Sequence, residues 1–188
     1  MLNNYKKYCK EVHQQFRSGD ATENSYYDKL KTLIEEIGFS DFNKKITVTI
    51  NPKKVIEKQE IIGLPDFLVK SETGFTIGYI EAKDPSIKLQ KILSSEQIER
   101  YKKTPNFILT NFCEFYFFRN GILMKHSILL NDSSLHKLTL PEFINLNDVD
   151  QMFKEFFSFS TKKTTTAEDL AKELGDRAQI LKHILLDE

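Results

Sequence analysis

Three charged residues stand at the ends of two neighbouring apolar segments of the sequence. Asp66 opens the first segment, and Glu81 and Lys83 close the second. If both segments are strands, Glu81 and Lys83 project from the same face, and pairing of the strands brings Asp66 beside them. Two carboxylates in such close proximity repel each other unless a cation or a proton lies between them. The spacing therefore predicts a divalent-cation site at one end of a sheet.

The two segments that carry these charges have the pattern of short strands. Residues 65–70 and 75–83 are mostly apolar, and a polar turn at 71–74 joins them. We expect the face that carries the two charges of the second strand to carry Ile77 and Tyr79 as well. Charges that continue an apolar row differ from those of an ordinary solvated edge, which favours a functional role.

A third acid, Glu23, belongs to a predicted helix. Residues 22–37 have apolar side chains at helical spacing, Gly38 is the expected stop, and Glu23 lies one turn before Tyr27 on the apolar face. Two interpretations stay open at this point. Glu23 either leans over the sheet toward Asp66, or lies in the first turn of a helix because the helix dipole favours a negative charge there.

The rest of the pattern indicates helices packed on a sheet. Asn120-Gly121 between two apolar runs is a strong hairpin signal. A helix between two buried strands implies a parallel crossover connection. Residues 53–60 fit a mobile loop or a ragged strand extension. The further predicted helices span 2–17, 94–103 and 147–157, and the further predicted strands span 45–50, 107–109, 113–119 and 122–130.

The predicted helix at 94–103 carries two more polar candidates. Gln97 and Tyr101 lie four residues apart and therefore share one helix face. Each also has a purely structural interpretation. Ser94 and Gln97 match a helix capping box, and Tyr101 could pack on the sheet.

The composition limits the class of protein. The 188 residues, 40% of them hydrophobic, suffice for one buried domain with an appendage. Lys plus Arg and Asp plus Glu number 27 each, so local patches rather than a global basic field would have to hold a polyanion. The two cysteines, Cys9 and Cys113, are far apart in sequence and suggest neither a disulfide framework nor a zinc site.

The sequence also predicts the cellular location of the protein and the boundary between its domains. No segment approaches the ~20 apolar residues that span a bilayer, and the N-terminus lacks a signal peptide, so we expect a cytoplasmic protein without a membrane partner. A polar, Thr-rich stretch at 158–166 is the best boundary. We expect one domain at 1–160 and a helix at 161–188, whose apolar stripe would lead toward a larger polypeptide or a partner.

The order of these motifs resembles the core of PD-(D/E)xK nucleases, whose motif stands here as Pro65-Asp66 followed by Glu81-Ala82-Lys83. More narrowly, the sequence is similar to the N-terminal nuclease domain of type IIG and type ISP restriction-modification enzymes over roughly residues 20–120. Four segments carry this likeness: Gly-Leu-Pro-Asp-Phe, Gly-Tyr-Ile-Glu-Ala-Lys, Glu-Gln-Ile-Glu-Arg-Tyr-Lys-Lys and Pro-Asn-Phe-Ile-Leu-Thr-Asn. The resemblance implies a restriction-endonuclease-like α/β fold, a mixed sheet flanked by helices, with a C-terminal linker helix.

The resemblance implies Mg²⁺-dependent hydrolysis of phosphodiester bonds in double-stranded DNA. Asp66 and Glu81, helped by the backbone carbonyl of Ala82, would hold Mg²⁺, for which Mn²⁺ can substitute. Lys83 would orient or deprotonate the attacking water and offset charge in the transition state. Glu23 would assist the metal shell through water.

The resemblance also assigns roles on the predicted helix at 94–103. Gln97 and Tyr101 would support the site or the DNA backbone. Arg100 and Lys102 could meet phosphates, although solvation of an exposed helix face explains the same charges.

Full-length members of this family carry a glycine-rich cofactor motif and an Asn-Pro-Pro-Tyr type methylation motif, and neither occurs in this sequence. We therefore expect methyltransferase and target-recognition regions elsewhere in the same polypeptide, and little sequence specificity in this part. A transient dimer would be a route to double-strand cleavage. Two other interpretations stay open: a catalytically silent nuclease fold used for binding or assembly, and a stand-alone DNA repair or junction nuclease.

Overall fold

The computed structural model describes residues 2–53, 55–57, 60–139 and 144–159, and the single positions 171, 174, 175 and 178. The helices of the described chain are α1 (Leu2–Ser18), α2 (Tyr27–Ser40), α3 (Glu96–Lys102), α4 (Asp132–Leu135) and α5 (Leu146–Phe157). Its strands are β1 (Ile46–Ile50), β2 (Val55–Glu57), β3 (Glu60–Gly63), β4 (Phe67–Ser71), β5 (Thr76–Ala82), β6 (Asn106–Thr110), β7 (Glu114–Arg119) and β8 (Ile122–Ile128).

Six of these strands form one mixed sheet in the order β1-β4-β5-β6-β7-β8. Neighbouring strands are antiparallel except β5 and β6, which are parallel. The segment between β5 and β6 contains α3, as expected for a parallel connection, which needs a crossover longer than a hairpin turn. The predicted parallel connection is therefore confirmed.

Helices cover both faces of the sheet and bury two apolar clusters. The larger cluster joins the sheet to α1, α2 and α5. The smaller one lies on the α3 side and contains Tyr79, Ile98, Tyr101 and Phe107. Every residue of β6 is buried, which explains why this central strand reads as a continuous apolar run in the sequence.

The close approach of α5 to the sheet depends on Gly78 in β5. A Cβ atom there would lie 2.5 Å from the Asn106 carbonyl oxygen and 2.7 Å from the Phe156 ring, so any larger residue would force the helix outward. The buried Asn106 amide strengthens the same junction, because its Nδ2 donates to the carbonyls of Ile77 at 2.8 Å and Phe156 at 3.0 Å. β5, β6 and α5 are thus held together at one point.

The C-terminal end of α5 is bonded to both halves of the sheet. The Lys44 ammonium, just before β1, donates to the Phe157 carbonyl at 2.7 Å. Arg119, the last residue of β7, donates from Nη2 to the Glu155 carbonyl at 2.7 Å. The last carbonyls of a helix lack partners within the helix, and Lys44 provides one for Phe157, whereas the Glu155 carbonyl also accepts from the Ser158 hydroxyl at 2.7 Å.

Two expectations about local structure are decided by the structure, one open and one wrong. Of the two alternatives for residues 53–60, the structure agrees with the strand extension and not with the loop: β2 pairs with β3 in a two-stranded antiparallel sheet, in which Ile56 is opposite Ile61 and the register shifts between Val55 and Ile56. The second helix does not stop at Gly38. It continues to Ser40, and Gly38 is buried where the Ile46 side chain of β1 packs closely against it.

None of the described helices is long and apolar enough to cross a membrane. The predicted linker helix at 161–188 lies outside the described residues except at four positions. Ala171, Leu174, Gly175 and Ala178 are helical, and Leu174 is exposed.

Candidate active site

The register of β4 against β5 brings Asp66 to the end of β5. The two strands are antiparallel with Phe67 opposite Ile80, so Asp66, the residue before β4, lies beside the strand end at Ala82. The backbone N–H of Ala82 donates to Asp66 Oδ2 at 2.8 Å. Strand pairing alone therefore fixes one oxygen of this carboxylate.

The face of β5 that carries Glu81 differs from the predicted one at a single position. Tyr79 packs in the smaller cluster on the α3 side, whereas Ile77 packs in the larger cluster. The pairing of β4 with β5 shifts between Val69 and Lys70, which leaves Ile77 between two paired positions. Such an irregularity changes the side on which the extra residue points, so the prediction that Ile77 shares this face is wrong.

Glu81 is the most buried charged group of the site, with 2% of its surface exposed. Its Oε1 accepts hydrogen bonds from Lys83 Nζ at 2.5 Å and from Gln97 Nε2 at 2.9 Å. Its Oε2 is buried and has no hydrogen-bond partner among the described residues. Burial, and then the negative charge of Asp66, raise the pKa of Glu81 to about 7, against the opposing effect of Lys83.

Lys83 contributes the positive charge of the site. Burial lowers its pKa, but the hydrogen bond to Glu81 and the charges of Glu81 and Asp66 outweigh burial, so the pKa of Lys83 is raised. The side chain keeps 23% of its surface exposed. In this arrangement Lys83 is an ammonium ion at neutral pH, which suits charge stabilisation better than proton abstraction.

Glu23 reaches the site through a tyrosine. It opens a 3-10 turn, Glu23–Tyr26, that precedes α2. The hydroxyl of Tyr27, the first residue of α2, lies 2.8 Å from Glu23 Oε1 and 2.6 Å from Asp66 Oδ1. Burial and hydrogen bonds to Asp66 and Glu23 raise the pKa of Tyr27, so its hydroxyl stays protonated and can donate. Of the two interpretations of Glu23, the structure favours the one in which it lies toward Asp66.

Helix α3 presents Gln97 to the site, and its cap lies one residue later than the capping-box interpretation requires. Ser95, not Ser94, is the N-cap, and its hydroxyl accepts from the Ile98 N–H at 3.4 Å. The predicted capping box at Ser94 is therefore wrong, and the Gln97 side chain bonds to Glu81 instead.

The other three predicted residues of α3 have different surroundings. Tyr101 is buried in the smaller cluster, and burial and the Glu81 charge raise its pKa. The ammonium of Lys102 donates to the Leu93 carbonyl and to Glu99 at 2.7 Å each, so its charge already has partners within the chain. Arg100 is exposed. Contacts of these residues with DNA stay a prediction.

The donor set suits a hard cation held by few protein ligands. In the part of the chain that the structure describes, no group of three or more His, Cys, Asp or Glu side chains is arranged to hold a metal ion. Mg²⁺ commonly binds through one or two carboxylates and keeps several waters. The unpartnered Oε2 of Glu81 is a free ligand atom beside Asp66, whose oxygens keep further lone pairs. The residues present therefore fit Mg²⁺.

Ala82 enters this site differently from its predicted role. The observed contact is made by its N–H, which holds Asp66. Coordination of a metal by its carbonyl stays a prediction.

Sequence reasoning missed two residues that shape the site. Tyr27 links two of the predicted acids, and its signal was the four-residue spacing from Glu23, which sets the two residues on one helix face. Gly63 has a φ of +133°, and a Cβ atom there would lie 3.0 Å from Tyr101 Cε1. A glycine at this position thus lets β3 pass close to the ring of Tyr101.

Comparison with known proteins supports the fold through solved structures. Seven chains of solved structures match, among them one from a cryo-EM structure of a DrdV–DNA complex, with a TM-score of 0.63 and 16% sequence identity. The match covers 85% of this chain and 14% of that chain. No family model and no curated protein matches the sequence. The predicted restriction-endonuclease-like fold, a mixed sheet flanked by helices, is confirmed.

The electrostatics of Glu81 predict that its replacement by glutamine stabilises the fold. In Glu81→Gln the amide oxygen can still accept from Gln97, while the repulsion from Asp66 and the cost of a buried charge disappear. The pKa of Glu81 is raised from 4.5 to about 7 in the folded protein. Its burial as a charged group therefore costs no stability below pH 4.5, an increasing amount between pH 4.5 and about 7, and the full amount above about pH 7. We expect a gain of about 1–2 kcal/mol at pH values above the folded-state pKa, less than the pKa shift alone implies because the new amide is buried where Oε2 has no partner.

Urea unfolding across this pH range, in the presence of a chelator, measures the effect. The matched control is Glu99→Gln, which alters an exposed glutamate that also pairs with a lysine and should leave stability unchanged. A Glu81→Gln variant that is no more stable than the parent at the high end of the range would contradict the burial argument.

Proposed function

We propose that this chain is a Mg²⁺-dependent DNA endonuclease domain of the PD-(D/E)xK superfamily. The observation that carries the proposal is the meeting of Asp66, Glu81 and Lys83 at one strand end, with a buried carboxylate oxygen of Glu81 that has no partner among the described residues. Buried carboxylates placed side by side cost stability, and an active metal site is the function that best accounts for keeping them.

Each residue has a role that its contacts support. Asp66 and Glu81 would hold Mg²⁺, with the Ala82 carbonyl as a further ligand. When bound, the ion would polarise the scissile phosphate and make a water more acidic. The ammonium of Lys83 would stabilise negative charge on the phosphate as the water oxygen bonds to phosphorus and the bond to the leaving oxygen breaks. Gln97 keeps Glu81 Oε1 oriented toward Lys83.

DNA is the proposed substrate because a nuclease site needs a phosphodiester and because the structural neighbour was solved with DNA. The chain carries as many acidic as basic residues, so affinity would come from local contacts, with Arg100 as the exposed candidate on α3. We further propose that the domain is the cleavage module of a larger restriction-modification enzyme, in which other regions supply methylation and target recognition. A transient dimer would then cut both strands.

The test of this proposal is metal-dependent cleavage. Supercoiled plasmid DNA is incubated with the protein and Mg²⁺, and in parallel with Mn²⁺ or with a chelator. We expect nicked and linear products with either ion and none with the chelator. Titration calorimetry with Mn²⁺ in the absence of DNA provides an independent readout of the site.

The two measurements separate the proposal from its alternatives. Failure to bind Mn²⁺, even with DNA present, would favour a catalytically silent nuclease fold. Cleavage confined to branched DNA, with plasmid left intact, would favour a repair or junction nuclease. Equal cleavage with and without the chelator would reject the metal-dependent mechanism.

A further inference from the structure

The hydroxyl of Tyr27 lies between two carboxylates that come from different parts of the fold. It is 2.6 Å from Asp66 Oδ1, at the start of β4, and 2.8 Å from Glu23 Oε1, in the turn before α2. A hydroxyl can donate to either carboxylate and so can link the two. Tyr27 therefore provides the contact through which the helical layer holds Asp66.

The Tyr27 ring is fixed independently of these hydrogen bonds. Only 4% of the residue is exposed, and its ring packs at 4.8 Å from the Phe67 ring and 6.2 Å from the Phe112 ring, measured between centroids. The hydroxyl thus has a defined position before any ligand is bound.

Both oxygens of Asp66 are held by donors on opposite sides. The Ala82 N–H binds Oδ2, and the Tyr27 hydroxyl binds Oδ1. Groups that hydrogen-bond to a ligand carboxylate set its orientation, and their loss commonly weakens metal binding by about 10- to 100-fold. A hydroxyl carries a single hydrogen, so Glu23, at the other side of Tyr27, influences how that hydrogen is shared with Asp66.

We propose that Tyr27 is a positioning residue of the candidate metal site: its hydroxyl orients Asp66 and transmits the effect of Glu23 to it. This inference rests on the proposed function, because it takes Asp66 as a metal ligand. It differs from the expectation that Glu23 assists the metal through water. In the route proposed here, removal of the Tyr27 hydroxyl breaks the hydrogen-bonded link from Glu23 to Asp66 and leaves Glu23 to act on the site only through its charge.

A double-mutant cycle on metal affinity tests the inference. Mn²⁺ dissociation constants are measured by calorimetry for the parent, Tyr27→Phe, Glu23→Gln and the double variant. We expect Tyr27→Phe to weaken binding by about tenfold, since the ring contacts stay and only the hydroxyl is lost. Glu23→Gln should change the affinity by a different factor in the parent than in the Tyr27→Phe background, because only the parent has the hydroxyl that links Glu23 to Asp66. A merely structural tyrosine would leave the effect of a substitution at Glu23 unchanged.

Tyr26→Phe is the matched control, because it removes a neighbouring buried hydroxyl on a ring that packs against the same Phe112. It should bind Mn²⁺ like the parent. Equal affinity of Tyr27→Phe and the parent, or additive effects in the cycle, would overturn this inference and leave the proposed function standing. A parent protein that does not bind Mn²⁺ would overturn both.

Discussion

Replacement of Asp66 by alanine is expected to abolish Mn²⁺ binding and DNA cleavage together. The variant loses one of the two carboxylates proposed to hold the ion, and it leaves the N–H of Ala82 and the hydroxyl of Tyr27 without their acceptor. A bound metal lowers the barrier of such a reaction by several kcal/mol, so cleavage should fall about 1000-fold or more. Calorimetry and plasmid cleavage on the same preparation measure the two losses.

Asp66→Asn separates the loss of charge from the loss of structure. Its amide oxygen can still accept from Ala82, so the strand pairing around it should persist while one ligand charge is absent. We expect this variant to unfold at the parent's temperature but to bind Mn²⁺ at least about 100-fold more weakly, since removing even an outer partner of a ligand costs about 10- to 100-fold. Cleavage by either Asp66 variant at the parent's rate would show that this carboxylate plays no part in the reaction.

Replacement of Lys83 by alanine is expected to separate binding from cleavage. Its ammonium donates to Glu81 Oε1 and adds a positive charge beside the carboxylates, so its removal frees a ligand and removes a repulsion. Lys83 also lowers the pKa of Glu81, so the comparison is made at a pH well above that pKa, where Glu81 has lost its proton in both proteins. Mn²⁺ affinity there should be unchanged or higher. Cleavage should fall about 100- to 1000-fold, as when one donor that stabilises transition-state charge is removed.

Lys45→Ala is the matched control for this prediction. Lys45 also pairs with a glutamate, Glu72, at 3.1 Å, but both side chains are mostly exposed and lie away from the candidate site. This variant should keep both the metal affinity and the cleavage rate of the parent. If Lys83→Ala binds Mn²⁺ more weakly at a pH where Glu81 has lost its proton, or cleaves as fast as the parent, Lys83 does not have the role proposed for it.

Much of the sheet could be predicted because its pattern is local. A few neighbouring residues are enough to predict a strand or a hairpin. The alternation at β1, the Asn120-Gly121 turn between β7 and β8, and the continuous apolar run at β6 were each predicted, and the structure confirms all three. The parallel pairing of β5 with β6 followed from the helix between them. The errors arose where a distant residue decides the structure, as at Gly38, whose role depends on Ile46 of the next element.

The candidate site was predictable in its residue types but not in its connections. Strand periodicity places Asp66 near Glu81, and the structure agrees on that proximity. Periodicity could not reveal that Tyr27 lies between Glu23 and Asp66, because Tyr27 and Asp66 are 39 positions apart in the sequence. Nor could it reveal that Lys102 is engaged by Leu93 and Glu99, since hydrogen bonds of long side chains depend on local packing.

The two cations at the end of α5 have a consequence for local opening of the protein. Helix ends usually fray, but here Lys44 and Arg119 attach the last turn to opposite halves of the sheet. Amide hydrogens of that turn should consequently exchange with solvent only when the sheet itself opens. The polypeptide that follows Phe159 therefore begins at a helix end that is held to the sheet.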